Sequence, residues 1–210
     1  MKLPTFTLSG LALPSLALPG LVLLALSAGT ASAQQAIAPG LEHAPKVTQY
    51  ARTFLAGFVA DPMLHAVVRE STKSHRKLGW DEARALDRRW RDERADGKRD
   101  GLVDAIAANG LSAWLKQQMA GAANGAVTEV HVIDGLGWNV GETRESADFF
   151  QGDELQWQEI LPNTADAVIV SELEDNGGNG RTLALVSLPI ADGDVNIGVV
   201  TLGVDVSKLP

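Results

Sequence analysis

Residues 127–157 read VTEVHVIDGLGWNVGETRESADFFQGDELQW, and the pattern of this stretch decides what the rest of the chain must build. Val127 to Ile133 and Trp138 to Thr143 are two short strand-like runs joined through Gly135-Leu136-Gly137, which predicts a hairpin. From Ser146 to Leu161 the alternation stops, and the bulky residues Phe149, Phe150, Leu155, Trp157 and Ile160 predict a short helical insert. Three further strand patterns follow, at about 167–173, 182–190 and 195–206, with Asn176-Gly177-Gly178-Asn179-Gly180 and Asp192-Gly193 as turns between them. In the last of these, Val195, Ile197 and Val199 occupy one alternating set and Val200, Leu202 and Val204 the other. A strand apolar on both sets is covered on both faces.

Upstream the period changes to that of helices. Val47, Tyr50, Ala51, Phe54, Leu55, Phe58 and Val59 fall at i, i+3, i+4, i+7 and form one apolar stripe. Asp61-Pro62 reads as an N-cap followed by proline at the first helical position, so a new helix starts there or the first one kinks. Met63, Leu64, Val67 and Val68 continue an apolar face; Leu86 and Trp90 mark a charged helix ending near Asp96-Gly97; and residues 102–119 form a helical stretch interrupted at Asn109-Gly110. Acids interleaved with the basic residues from Arg69 to Arg99 describe a solvated helical surface, with a docking face as the alternative. The expected fold is therefore α+β: a PAS-like five-stranded antiparallel sheet, long N-terminal helices behind it, and a short helical cap between strands 2 and 3. A sheet roofed in this way leaves room for a cavity between its curved face and the cap.

The 127–157 stretch, with LSAWLKQQ upstream and VSLPI and IGVVTLGVDVSKL downstream, resembles the single-Cache, or PDC, periplasmic sensor domains. In that family a hydrophobic strand carrying Asp leads through a turn to NVG, then to SDYWQGDE-x-KW and a late VSLPV. Here Ala147 to Glu154 stand at the long motif, and Phe149-Phe150 replace its Tyr-Trp pair, removing two polar ring groups. The resemblance implies extracytoplasmic small-molecule sensing inside receptors that continue through a membrane to a kinase, cyclase or chemotaxis module. No such module follows within the sequence, so the expected form is a stand-alone binding protein. It would report through a separate membrane-bound sensor kinase, cyclase or chemoreceptor, with a ligand closing the 144–157 cap and shifting the helices behind the sheet.

Composition bounds the chemistry. The 210 residues include no cysteine, which removes thiolate zinc sites, disulfides and cysteine nucleophiles. Met1 to Ala33 has Lys2 as its only charge, a Leu/Ala-rich run and Ala31-Ser32-Ala33, the pattern of a cleaved secretory signal; a retained anchor is the alternative. Residues 34–210 then form one periplasmic domain, with 34–126 its helical region and 127–210 its sheet and cap. Residues 34–120 carry 14 Lys/Arg against 11 Asp/Glu, a balance of +3, while residues 121–210 carry 3 against 15, or -12. With a pI near 5.0 the chain lacks the cationic surface that nucleic acid requires. The acidic half attracts cationic or zwitterionic ligands, although Arg144 can grip a carboxylate, so amino acids, amines and small organic acids all stay open.

The candidate ligand-binding residues are His131, Trp138, Asn139, Arg144, Asp148, Phe150, Gln151 and Trp157. Each has a plainer reading. His131 suits a hydrogen-bonded core histidine, Trp138 and Trp157 ordinary packing, Asn139 a strand edge and Arg144 a surface ion pair. Asp148 and Gln151 suit the capping of a short helix. No metal or cofactor is expected: the four histidines show no paired spacing, and Asp96 to Gly101 lacks the ligand density of a calcium loop. The 175–180 loop is glycine-rich without the lysine and following helix of a phosphate cradle, and no Gly-x-Ser-x-Gly elbow exists. The chain is read as a non-enzyme. Its alternatives are an assembly protein dimerising through the Val47 to Val59 stripe and, behind that, a periplasmic hydrolase.

Overall fold

The computed structural model describes residues 40–97, 101–122, 125–178 and 180–210. The expected signal segment and the middle of the Asp96 to Gly101 loop lie outside the described residues. Among the described residues no helix is long and apolar enough to cross a membrane.

Five helices come first: α1 Ala44–Leu55, α2 Pro62–His75, α3 Trp80–Asp96, α4 Leu102–Ala107 and α5 Gly110–Ala120. The Asp61-Pro62 signal starts a new helix, with the Asp61 carboxylate accepting from Met63 N at 2.8 Å. The break at Asn109-Gly110 separates α4 from α5 in the same way, Asn109 capping α5 through Ser112 N. The strands are β1 Val127–Asp134, β2 Asn139–Glu142, β3 Ile169–Val170, β4 Glu174–Asp175, β5 Arg181–Asp192 and β6 Val195–Asp205, with α6 Leu155–Ile160 between β2 and β3.

All pairings are antiparallel and the order is β2-β1-β6-β5-β3, with β4 also on β5. This is the expected five-stranded PAS-like sheet with one addition, the two-residue β4, whose exposed Glu174 and Asp175 give no apolar signal in the sequence. The expected strand at 167–173 contracts to β3.

Alternation assigns the two faces. Val130 and Val132, Ala184 to Ile190 at every second position, and Val200, Leu202 and Val204 point rearward into one buried core with Val47, Ala51, Leu55, Leu64, Val68, Leu111 and Leu115. The α1 stripe proposed as a dimer seam is thus spent inside the domain, covering the rear of the sheet. On the front, Ile133, Val199 and Ile169 meet Ile160 and Trp157 of the cap. Asn196 Nδ2 pins the end of α6 by donating to the carbonyls of Ile160, Leu161 and Asn163. The outer edge of β2 is closed by the α4–α5 junction: Asn109 Nδ2 donates to Val140 O, and Ser112 Oγ accepts from Glu142 N. An edge strand satisfied in this way offers no ladder to another chain.

Candidate functional site

The strand register brings polar side chains into line on the front face. His131 pairs with Glu142 on one side and Thr201 on the other, Thr201 pairs with Ser187, and Ser187 with Ile169. Directly opposed residues share a face, so Glu142, His131, Thr201 and Ser187 form a row across four strands of a largely apolar sheet. Ser187 and Thr201 join hydroxyls at 2.8 Å, and both are buried. The neighbouring row, Asn139, Ile133, Val199 and Pro189, is apolar except at its β2 end.

That end is the most heavily loaded part of the site. The Glu142 side chain is 1% exposed. Its Oε2 accepts from Asn139 Nδ2 at 2.5 Å and from Ser146 N at 3.0 Å, and His131 Nδ1 lies 3.7 Å away. Asn139 Nδ2 also reaches Ser146 Oγ at 3.0 Å, and that hydroxyl donates to Asp148 O. Among the described residues, two buried oxygens here, Glu142 Oε1 and Asn139 Oδ1, lack a hydrogen-bond partner. Leaving a buried acceptor unmet costs about 1–3 kcal/mol, so a matched pair within one cluster calls for an explanation.

Charge surrounds the row unevenly. Burial pushes the Glu129 carboxyl up from its ordinary value, against the opposing pull of Arg144, whose Nη1 lies 3.4 Å from Glu129 Oε2. Burial also pushes the His131 imidazole down, helped by Arg144 and opposed by Glu142. Both groups are therefore biased to their neutral forms, and a neutral imidazole can donate and accept at once.

The aromatic candidates occupy a different place. Trp138 contacts Phe150 and Phe149 with ring centroids 4.9 Å and 5.2 Å apart, and Phe149 stacks on Trp90 at 5.3 Å. These rings pack against one another where the sequence led us to expect a hollow beneath Phe150. Packing there is tight enough that a side chain on Gly137 would overlap Gly152 and one on Gly152 would overlap the Phe150 ring. Trp157 donates from Nε1 to Asp134 O at 3.0 Å, fixing the cap to the hairpin. Gln151 Nε2 donates to both Asp148 O and Asp148 Oδ1 at 2.9 Å, closing a turn within the cap. Burial, then Asp87 and Asp153, push the Asp148 carboxyl up. Of the eight sequence candidates, His131, Asn139 and Arg144 converge on the polar row, whereas Trp138, Phe150, Trp157, Asp148 and Gln151 build the roof beside it.

Sequence reasoning passed over Glu142, Glu129, Thr201 and Ser187, although Ser187 and Thr201 are hydroxyl residues inside runs of Val, Leu and Ile. It also missed a tether behind the roof. Asp134, fully buried, accepts from Leu136 N and Trp138 N on Oδ1, and from Ser71 Oγ at 2.8 Å and His75 Nδ1 at 2.7 Å on Oδ2. Ser, His and Asp meet here, but Ser71 and Asp134 both approach the same ring nitrogen, Nδ1. A nucleophilic relay needs the serine on the opposite nitrogen, so this geometry ties α2 to the hairpin. Beyond β2 an open cleft of about 420 Å³ is bounded by Arg94, Ala107, Lys116 and residues 142–145.

Comparison with known proteins adds a fold-level likeness. No family model matches the chain and no curated protein matches it. Among solved structures, it is similar to the ligand-binding domain of the Pseudomonas aeruginosa amino acid chemoreceptor PctC in complex with GABA. That match has 18% identity and a TM-score of 0.36, over 57% of this chain and 55% of that one. It is also similar to the sensory domain of the Campylobacter jejuni chemoreceptor Tlp3, with 13% identity and a TM-score of 0.36 over 79% and 66% of the two chains. The ligand-binding domain of Tlp3 in complex with 4-methylisoleucine gives 14%, 0.35, 83% and 65%. The chain thus spans between 55% and 66% of these structures' lengths. Each of these structures is a ligand-binding or sensory domain of a chemoreceptor.

Proposed function

We propose that this protein is an exported small-molecule-binding sensor domain whose ligand sits on the Glu142–His131–Thr201–Ser187 row and whose state is read by a separate membrane partner. The observation that carries this reading is the pair of buried, unpartnered acceptors, Glu142 Oε1 and Asn139 Oδ1, at one end of the row. Two acceptors in one cluster are satisfied by a donor-rich group, so an amine or the ammonium of an amino acid suits them better than the carboxylate of an organic acid. The acidic balance of residues 121–210 concentrates such ligands at the surface, and Arg144 on the rim can take a carboxylate where one is present. Periplasmic placement and the membrane partner are supported by the signal-like first 33 residues and by the family resemblance.

A thermal-shift screen of amines, amino acids and carboxylates tests the reading. A ligand at about 100 times its dissociation constant adds about 2.7 kcal/mol, which for a domain of this size is a rise on the order of 5–10 °C. Amine-bearing compounds should produce it, and Glu142→Gln and Asn139→Leu should each remove it. A panel without any shift, or shifts that survive both substitutions, would refute the assignment.

A further inference from the structure

The cleft beyond β2 has a chemistry opposite to that of the row. Three cations from three elements converge on it: Arg94 from the last turn of α3, Lys116 from α5, and Arg144 from the loop after β2. Arg144 is one of only three cations in residues 121–210, against 15 acids, so its meeting with two cations of the helical region is a product of folding and not of local composition.

Among the described residues, two of these cations are held by neutral carbonyls and the third by a distant carboxylate. Arg94 Nη1 donates to a neutral carbonyl, Ala147 O, at 2.9 Å, and Lys116 Nζ to another, Ala107 O, at 2.8 Å. Arg144 meets Glu129 only at 3.4 Å. A guanidinium carries five N–H donors and an ammonium three. Two acids share the wall. Glu142 directs its Oε2 to Asn139 and Ser146, and Glu145 stands at the rim. The volume, about 420 Å³, falls within the range of small-molecule sites.

We propose that this cleft, which meets the polar row at Glu142 and Arg144, binds a small multivalent oxyanion, a phosphate or a dicarboxylate, on its outer side. Planar guanidinium forks engage two oxygens of such an anion at once, and Lys116 supplies a third point of contact. An anion held there would bridge α3, α5 and the 143–147 loop, the segment that α3 fastens to the roof through Arg94. The proposal does not depend on the row having a ligand.

The test is a titration of isotope-labelled protein with inorganic phosphate and with succinate, using chloride at matched ionic strength as the control. A saturable response to either oxyanion, centred on Arg94, Lys116 and Arg144, is expected. Lys116→Gln should weaken it on the order of tenfold, the scale of losing one charge-assisted contact, and Lys116→Glu should abolish it. Lys116 is exposed, so neither change threatens the fold, and Arg94→Gln provides an independent second variant. A response no greater than that to chloride, or saturable binding indifferent to the Lys116 and Arg94 substitutions, would overturn the proposal.

Discussion

Glu129 and His131 stand on the same face of β1 and pull the pH dependence of stability in opposite directions. The folded state raises the Glu129 value above 4.5 because burial favours the neutral carboxyl. Its contribution is complete below about 4.5 and is lost as pH rises through the folded value, since in that window the native state binds more protons than the unfolded chain. His131 is lowered from 6.5, again by burial. Its contribution is present above about 6.5 and is lost as pH falls towards the folded value, because there the unfolded chain holds the extra proton. Glu129→Gln should therefore gain on the parent as pH rises above 4.5, and His131→Gln should gain on it as pH falls below 6.5, both read from urea midpoints. Substitution effects that stay constant across that range would show that burial does not govern these groups. A second residue-scale comparison concerns two glycines with positive φ. Gly137 at +88° has Gly152 against it, whereas Gly193 at +61° faces open space. Gly193→Ala should cost about 1–2 kcal/mol for the left-handed backbone alone, and Gly137→Ala a further 1–3 kcal/mol or so for overpacking. Equal denaturation midpoints for the two variants would contradict the tight seating of the roof on the hairpin.

At the scale of elements, α3 is the clearest case of a role that sequence pattern conceals. Its residues 87, 90 and 94 lie along one face and hold the backbone of 146–150. Asp87 accepts from Phe149 N and Phe150 N, Trp90 Nε1 donates to Ser146 O, and Arg94 donates to Ala147 O. In the sequence the same helix reads as a charged, solvated surface with Leu86 and Trp90 inward. An aspartate that holds a backbone segment 62 residues away looks no different from one that faces water. Asp87→Ala strands two amide donors, at about 1–3 kcal/mol for those left buried. Amide exchange at Phe149 and Phe150 should accelerate while β5 and β6 keep their protection; uniform acceleration would mean that the roof has no independent opening. Other elements were plain beforehand because their signals are local. The Gly135-Leu136-Gly137 hairpin, the Asp61-Pro62 helix start and the Asn109-Gly110 break each depend on residues within a few positions. The polar row was hidden for the opposite reason: Glu142, His131, Thr201 and Ser187 come from four strands, and only the register aligns them.

For the whole molecule, the sheet has a helical layer behind and an aromatic roof in front, and one corner ties the two layers together. The alternation of β6 foretold that both its faces would be covered, and the rear core around Val200, Leu202 and Val204 and the front contacts of Val199 meet that expectation. What alternation could not supply is the connection between layers, because it runs from Ser71 and His75 on α2 to Asp134 across 59 residues or more. Asp134 also fixes the hairpin amides, and His75 packs on Trp138 at 5.1 Å, so a displacement of the roof has a direct mechanical route to α2. If that route is energetic as well as geometric, His75→Ala and Asp134→Asn should be non-additive. A double-mutant cycle on unfolding free energy should then give a coupling of about 0.5–3 kcal/mol, the range found for residues in one hydrogen-bonded network. A coupling indistinguishable from zero would mean that α2 is held only by the packing of Leu64 and Val68, and that events at the roof stop at the sheet.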